Sequence, residues 1–227
     1  KIVDLKETLN QKKLISDQNL IFNADIVISS TGLYSDKIAK LLGFNFKEKK
    51  IIPFRGEYYC FKKKYRYFVN NLVYPVPNPN FPFLGVHLTR LINGEIEAGP
   101  NAVLALSREG YKWKNIDIDE LFESLIFPGL RNFIFKYPKT TLNEFMRSLS
   151  KVLFINSLRE FIPDLDLNMF KKGESGVRAQ LMDTSGKLIQ DFDILYNKNC
   201  IALLNAPSPA ATSSLAIAKY VANYLNK

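Results

Sequence analysis

The sequence predicts an α/β (α+β) fold built from two parts that alternate along the chain. Near the start, a short apolar run, a small-residue turn and a helical pattern follow one another. From about residue 50 to 105 the pattern changes to strands and turns, and residues 115–170 have helical spacing. The 227 residues are enough for one large domain or two small ones that share a core.

The first predicted unit is a strand, a turn and a helix. Ile26–Ile28 is an apolar run typical of a short buried strand, and Gly32 follows within a tight turn. Residues 38–42 carry apolar side chains at helical spacing, and Gly43 stands where a helix commonly ends. In such a turn, backbone N–H groups can approach a ligand closely.

An antiparallel sheet is predicted for the next region. Residues 51–61 are rich in strand-forming side chains, whereas prolines between 75 and 82 indicate an extended loop. In residues 84–89 the leucines and Val86 alternate with Gly85, His87 and Thr89, as in a half-buried strand. Asn93-Gly94 is a strong hairpin signal, so His87 is expected on the more polar face of this sheet.

Helices are predicted in the second half of the chain. One begins at Asp117 or Asp119 and is broken at Pro128-Gly129, and a second helical stretch occupies residues 141–162. The apolar stripe of the first helix consists of Leu121, Phe122, Leu125 and Ile126. Strands are expected at residues 176–180 and 200–204, before a closing helix that starts near Thr212 or Ser213. Its apolar face consists of Leu215, Ala218, Val221, Ala222 and Leu225.

The net charge favours an anionic partner. Lys and Arg exceed Asp and Glu by 31 − 22 = 9. The densest lysine clusters, at residues 47–50 and 62–66, lie in no nucleic-acid recognition pattern, so we expect a solvated basic face and no nucleic-acid partner. Weak attraction to a membrane surface stays open. The two cysteines have no CxxC spacing, which indicates neither a disulfide framework nor a metal site and favours a reducing, cytoplasmic location.

Seven segments together resemble one enzyme family, the FAD-dependent L-2-hydroxyglutarate oxidases and dehydrogenases, which are flavoenzymes of the D-amino-acid-oxidase-like superfamily. The similarity extends from about residue 24 to the C-terminus, and the segments occur in the family's order. They are Pro53–Tyr58, Tyr74–Pro77, Phe81–His87, Gly99–Ala105, Arg108–Tyr111, Gly176–Gln180 and Asn205–Ser214.

The resemblance implies a division into domains. Residues 1–45 and 171–227 would belong to an FAD-binding domain, and residues 46–170 would form a substrate-binding domain with an antiparallel sheet and helices. Members of this family open with a GxGxxG turn for the FAD pyrophosphate. No two of the eleven glycines here are separated by a single residue, so the sequence contains no such turn. We therefore expect the chain to correspond to the C-terminal part of the enzyme, with an incomplete FAD-binding domain.

The resemblance also implies a reaction, the oxidation of the dicarboxylic acid L-2-hydroxyglutarate to 2-oxoglutarate with hydride transfer to FAD. His87, the only histidine, would be the catalytic base; the alternative is a strand histidine without a catalytic role. Arg178 and Arg55 would bind substrate carboxylates, with surface ion pairs as the alternative. FAD would contact Thr31, Gly32, Ala206, Pro207, Ser208, Pro209, Ala210 and Thr212.

Several alternatives stay open at this point. The chain could be a non-catalytic remnant, or a subunit that needs a separate N-terminal FAD-binding chain. Glycerol-3-phosphate, glycine and sarcosine are less favoured substrates. The electron acceptor, oxygen or a quinone, is not indicated. A peripheral contact with the inner membrane surface is compatible with the charge.

Overall fold

The computed structural model describes residues 1–7, 11–76, 85–197 and 199–226. Most of the proline-rich loop, including Pro77, Pro79, Pro82 and Leu84, lies outside these residues. The chain divides into a terminal unit, residues 1–51 with 179–227, and a central unit, residues 52–178. Assignment of these units to flavin and substrate binding stays a prediction.

The described residues contain antiparallel and parallel strands together with α-helices. The strands are β1 (Ile2–Glu7), β2 (Lys12–Ser16), β3 (Ile21–Ala24), β4 (Val27–Ser29), β5 (Lys49–Phe61), β6 (His87–Arg90), β7 (Ile96–Gly99), β8 (Val103–Leu104), β9 (Phe170–Asp183), β10 (Asp193–Tyr196) and β11 (Cys200–Asn205). The helices are α1 (Ser35–Leu41), α2 (Ile118–Ile126), α3 (Pro128–Lys136), α4 (Pro138–Leu149), α5 (Lys151–Leu158) and α6 (Ser214–Ala222). The predicted mixed α/β fold is confirmed.

The terminal unit contains two small sheets. One has the antiparallel order β1-β2-β3; the other has the order β10-β11-β4, in which β11 and β4 are parallel. Helix α1 is tied to β11 by the Ser35 hydroxyl, which donates to the Leu204 carbonyl at 2.7 Å. Gly43 has a φ of +84°, the left-handed conformation that suits the end of a helix. The buried hydrophobic core of the terminal unit consists of Ala39, Leu42, Ile51, Leu181, Cys200, Ala202 and Leu204.

The central unit is built on an antiparallel sheet with the order β6-β7-β5-β8, and β9 pairs with β5. A turn at Gly94 joins β6 to β7, which confirms the predicted hairpin. Val86 and Leu88 are buried, whereas His87 and Thr89 are partly exposed, as strand alternation predicts. The buried cluster against this sheet includes Phe61, Leu88, Ala98, Phe154, Ile155, Leu158 and Phe170.

The predicted helices form, but their apolar stripes are only partly covered. The Asp117 side chain caps α2 by accepting the Glu120 N–H, and Pro128 begins the next helix. Phe122 of the predicted stripe stays 63% exposed, and Val221 is the only buried member of the predicted face of the closing helix. Helical spacing identifies side chains that share a face, but tertiary packing decides what covers that face. No helix within the described residues is long and apolar enough to cross a bilayer.

Candidate functional site

Four residues line up across the central sheet on one face. His87 of β6 pairs with Gly99 of β7, and the β7–β5 register of Ala98 with Tyr59 places Tyr58 beside Gly99. On the other side of His87, the ring of Tyr74 stacks on the imidazole with centroids 4.3 Å apart and planes 20° apart. Because paired residues on neighbouring strands point to the same face, this row presents its side chains together. We call this side of the sheet the pocket face.

The imidazole of His87 is held in one tautomer. Its Nδ1 lies 3.2 Å from the carbonyl oxygen of Gly85. A carbonyl oxygen can only accept, so Nδ1 carries the proton and Nε2 of the neutral ring keeps a lone pair. Burial lowers the pKa of His87, the Gly85 hydrogen bond raises it, and the nearby positive charge of Arg178 lowers it. The neutral ring, which can accept a proton, is therefore favoured.

A small open pocket of about 190 Å³ lies on this face and is lined by Phe54, Gly56, Tyr58, Pro100, Asn101, Ala102, Gly176, Val177 and Arg178. This volume is below the roughly 300–1,000 Å³ of pockets for drug-sized ligands, so a small molecule is the appropriate size of ligand. Gly99 shapes the surface here, since a Cβ at this position would lie 2.8 Å from the ring of Tyr58. Its φ of +148° also favours glycine.

Arg178 supplies the positive charge of the pocket. Its side chain is exposed, yet enough protein surrounds the guanidinium that desolvation lowers its pKa, while Tyr58 raises it. Burial raises the pKa of the Tyr58 phenol, and Arg178 lowers it. Arg178 therefore interacts electrostatically with both Tyr58 and His87. Arg178 lines the pocket with Tyr58, and His87 lies in the same row as Tyr58, so both predicted residues lie on the pocket face. A guanidinium at the mouth of a small pocket is suited to a carboxylate.

Arg55 is placed differently. Its side chain is 0% exposed, and its guanidinium carbon lies 4.2 Å from the ring centroid of Trp113. Nε is 3.4 Å from a carboxylate oxygen of Glu57, and Nη1 donates to the Gly110 carbonyl at 3.4 Å. Along β5, Arg55 and Glu57 alternate with Gly56 and Tyr58, so they point away from the pocket face. The structure does not bring Arg55 together with His87 and Arg178, and this geometry favours a structural role.

Glu57 connects Arg55 to the surrounding structure. Its carboxylate accepts hydrogen bonds from the Asn101 amide, at 3.3 Å, and from the Ser148 hydroxyl. The Asn101 side chain in turn accepts the backbone N–H of Glu57 at 2.7 Å. The buried Glu57 carboxylate is thus paired and hydrogen-bonded, as buried charges need to be, whereas Nε and Nη2 of Arg55 have no hydrogen-bond partner among the described residues. We call this buried group, Arg55, Glu57, Asn101, Trp113 and Ser148, the core cluster.

The remaining predicted site residues lie in the terminal unit, at the carboxyl ends of two parallel strands. Thr31 and Gly32 follow β4, and residues 206–212 follow β11. Because β4 and β11 are parallel, both segments leave the same edge of the sheet, which is where open α/β sheets bind ligands. Gly32 has a φ of +53°, and a Cβ there would meet no atom within 4 Å. Backbone groups at this edge are accessible to a ligand.

The segment after β11 is ordered by local hydrogen bonds. Asn205 anchors its start by donating to the carbonyl oxygens of Ile189, at 3.1 Å, and Asp191, at 2.7 Å. Further along, the N–H of Ala210 donates to the Pro207 carbonyl at 3.0 Å. Among the predicted contact residues here, Ala206, Ser208, Pro209 and Thr212 are exposed and Pro207 and Ala210 are partly buried.

The class of protein to which this fold belongs is the FAD-dependent oxidoreductases. The chain belongs to the FAD-dependent oxidoreductase (DAO) family, whose model matches residues 1–224. FAD, which the sequence resemblance implied, is the cofactor of this family.

The curated relatives include L-2-hydroxyglutarate dehydrogenases, so the predicted resemblance is confirmed. The enzyme of Indibacter alkaliphilus is 49% identical over 221 residues, which are 97% of this chain and 55% of that protein. The Escherichia coli K12 enzyme is 38% identical over 96% of this chain and 51% of its own length. The mitochondrial mouse enzyme is 41% identical over 86% of this chain and 43% of its length. The chain thus spans about half the length of the curated relatives it matches.

Solved structures of other flavoenzymes share the fold. FAD-bound L-α-glycerophosphate oxidase from Mycoplasma pneumoniae matches all of this chain and 50% of its own, with a TM-score of 0.66 and 17% identity. Glycerol-3-phosphate dehydrogenase from Bacillus halodurans, complexed with FAD, matches with a TM-score of 0.53 and 10% identity over 38% of its chain. At these identities the similarity shows the fold alone.

Sequence reasoning did not single out Tyr58, Tyr74 or Gly99. Tyr58 stands two residues after Gly56 in a predicted strand, so strand alternation could have placed both on one face. Gly99 and Tyr74 become neighbours of His87 only through the register in which the strands pair. The sequence of the loop between Tyr74 and His87 does not indicate that register.

Proposed function

We propose that this chain provides the substrate-binding part, and a portion of the flavin-binding part, of an enzyme that oxidises L-2-hydroxyglutarate to 2-oxoglutarate. One observation carries the proposal: His87 and Arg178 share the pocket face in a chain that is 38–49% identical to several L-2-hydroxyglutarate dehydrogenases. The reaction needs a base for a hydroxyl proton and a cation for a carboxylate. The two side chains on this face are of those types.

His87 accepts the proton of the substrate hydroxyl at Nε2. The hydrogen bond from Nδ1 to Gly85 fixes the ring orientation and leaves that lone pair available. Because the pKa of His87 is lowered, the ring is neutral at pH 7 and ready to act as a base. Stacking on Tyr74 restricts rotation of the imidazole.

Arg178 binds a substrate carboxylate, and its planar guanidinium allows two parallel hydrogen bonds. The positive charge of Arg178 also lowers the pKa of His87 and so disfavours protonation of the imidazole. Arg178 therefore both orients the substrate and keeps His87 available as a base. Among the described residues that line the pocket, Arg178 is the charged one, which suits an anion, although the Glu97 carboxylate on the same face of β7 also acts on Tyr58.

The residues at the edge of the parallel strands fit a dinucleotide. When bound, FAD supplies the two-electron acceptor. Thr31, Gly32 and residues 206–212 would hold it, since their small or exposed side chains let backbone groups approach a flat ring closely. These are the contact residues that the sequence resemblance implies, and the flavin absorbance of the complex with an N-terminal half, compared between the wild type and variants of these residues, tests them.

We also propose that binding of FAD requires a further segment, whether in the same polypeptide or in a separate N-terminal chain. Parallel sheets are normally covered on both faces and extended on both sides. Among the described strands β4 is at the edge of its sheet, and Ile28 within it and Ile26 just before it are 50% and 46% exposed. The relatives have about twice the length of this chain. A further segment packed on the face of the sheet to which both side chains point would cover them.

The experiment is flavin reduction under anaerobic conditions. The chain is purified alone and together with the N-terminal half of a relative, and the flavin absorbance is recorded before and after adding L-2-hydroxyglutarate. We expect a colourless chain alone and a yellow complex that is bleached by the L-acid but not by its D-enantiomer. Bleaching by glycerol-3-phosphate or glycine, and not by L-2-hydroxyglutarate, would contradict the proposed substrate. A yellow chain alone would contradict the need for a further segment.

The proposed location is the cytoplasm, with a weak contact at the inner membrane surface where a quinone could accept electrons. The net charge of +9 supports attraction to anionic lipid. Co-sedimentation with anionic vesicles at low salt, lost at high salt or with neutral vesicles, is the expected result. Equal recovery with both vesicle types would contradict it.

A further inference from the structure

We propose that Tyr58 is a substrate-binding residue that donates its phenol O–H to the carboxylate bound by Arg178. This inference deepens the proposed function and rests on it for the identity of the acid. Tyr58 is not among the site residues that the sequence resemblance implied.

Tyr58 is placed for this role. Tyr58 and Arg178 both line the small pocket, and the row across the sheet places Tyr58 next to Gly99 and two strands from His87. The missing side chain at Gly99 lets the Tyr58 ring lie over the backbone of β7, because a Cβ would approach the ring to 2.8 Å. The ring thereby lines the same pocket as Arg178, in an arrangement that depends on a backbone conformation that glycine readily adopts.

The surroundings of Tyr58 keep its phenol in the form that donates a hydrogen bond. Burial raises the pKa of Tyr58 and keeps the phenol protonated at neutral pH. Phe54, Pro100, Ala102 and Val177 make much of the pocket lining apolar. A protonated phenol next to a guanidinium offers an additional donor to an anion, and a hydrogen bond to a charged group is stronger than one between neutral groups.

Arg55 does not supply a second cation to the pocket. Two cations were expected for two carboxylates, but Arg55 is fully buried in the core cluster and lies on the opposite face of β5. The amide of Asn101 is engaged with Glu57. Tyr58 is therefore the hydroxyl donor that the described pocket residues offer beside Arg178. We infer that an Arg–Tyr pair, in place of two arginines, recognises the acid on this face.

The test uses the purified full chain, in which His87 gives a single set of imidazole NMR signals because it is the only histidine. The chain is titrated with 2-oxoglutarate, and the shift of these signals gives a dissociation constant. We expect Tyr58→Phe to weaken binding by about 10-fold or more, as loss of a hydrogen bond to a charged group predicts. Tyr59→Phe is the matched control, since Tyr59 packs against Phe154 on the opposite face and should bind like the wild type.

The outcomes separate this inference from the proposed function. If Arg178→Lys weakens binding and Tyr58→Phe does not, the role of Tyr58 is wrong and the pocket stands. If neither change affects binding, or the wild-type His87 signals do not move, both the role of Tyr58 and the proposed acid site are wrong. Tyr58→Phe with an unchanged His87 titration midpoint in the free chain shows that the pocket itself is intact.

Discussion

The two faces of strand β5 in the central unit place similar residues in opposite environments. On the pocket face, Tyr58 lies beside an exposed arginine, Arg178, around an open pocket. On the other face, Arg55 is fully buried against Trp113 and Glu57. Both arginines are plausible carboxylate ligands from sequence, but only Arg178 can meet a solute without rearrangement. Alternate side chains of β5 point to opposite faces of the sheet, so residues on one face can bind a ligand while their neighbours on the other face stabilise the fold.

The largest effect is expected from breaking the core cluster. Arg55→Ala leaves the Glu57 carboxylate buried without its cation, so the free energy of unfolding should fall by about 3–5 kcal/mol. Urea denaturation followed by circular dichroism measures this. The comparison variant is Arg178→Ala, which should lower it by less than about 1 kcal/mol because that side chain is exposed. If both variants lost the same free energy of unfolding, the conclusion that Arg55 is structural and Arg178 is not would be wrong.

On the pocket face, the largest effect concerns turnover. In the complex with an N-terminal half, His87→Ala should reduce turnover about 100-fold, as loss of acid–base catalysis does. His87→Gln, which keeps a polar side chain of similar size, should lose as much while flavin absorbance stays unchanged. Turnover near the wild-type level in either variant would leave His87 as a strand residue without a catalytic role.

Gly99 lies between His87 and Tyr58 in the row across the sheet. A side chain at this position should therefore reduce both the stability of the chain and its affinity for the ligand. Gly99→Ala combines a φ of +148° with a close approach to Tyr58, and such strain costs about 1–3 kcal/mol. Gly176→Ala is the control, because it lines the same pocket but its Cβ would meet no atom within 4 Å. Thermal unfolding and 2-oxoglutarate titration would distinguish them; equal behaviour would exclude close packing at Gly99.

The smallest expected effect is electrostatic and concerns His87. Its NMR titration midpoint in the wild-type chain should lie below the ordinary value of about 6.5. Because Arg178 lowers that pKa, Arg178→Gln should raise the midpoint, whereas Lys172→Gln should leave it unchanged. The lowered pKa also means that the neutral ring contributes stability above pH ~6.5 that is lost as the pH falls. A titration midpoint of His87 that is unchanged or lower in Arg178→Gln would contradict an electrostatic interaction between Arg178 and His87.

Much of this arrangement follows from sequence, and the rest depends on packing. Alternation around His87 and the Asn93-Gly94 turn predicted the strand, its partner and its polar face. Arg55 and Arg178 could not be distinguished, because local sequence does not reveal which face of a sheet the helices cover. Phe122 illustrates the same limit in a helix, since its spacing predicts a stripe but not a partner to cover it.

The central claim is that a small diacid binds at the pocket face rather than near the core cluster. The most direct measurement is a nuclear Overhauser effect between the methylene protons of 2-oxoglutarate and an aromatic ring of the chain. His87 and Trp113 are each the only residue of their type, so one marks each face without ambiguity. We predict contacts from the ligand to the His87 imidazole. Contacts to the Trp113 indole, without any to His87, would contradict the account.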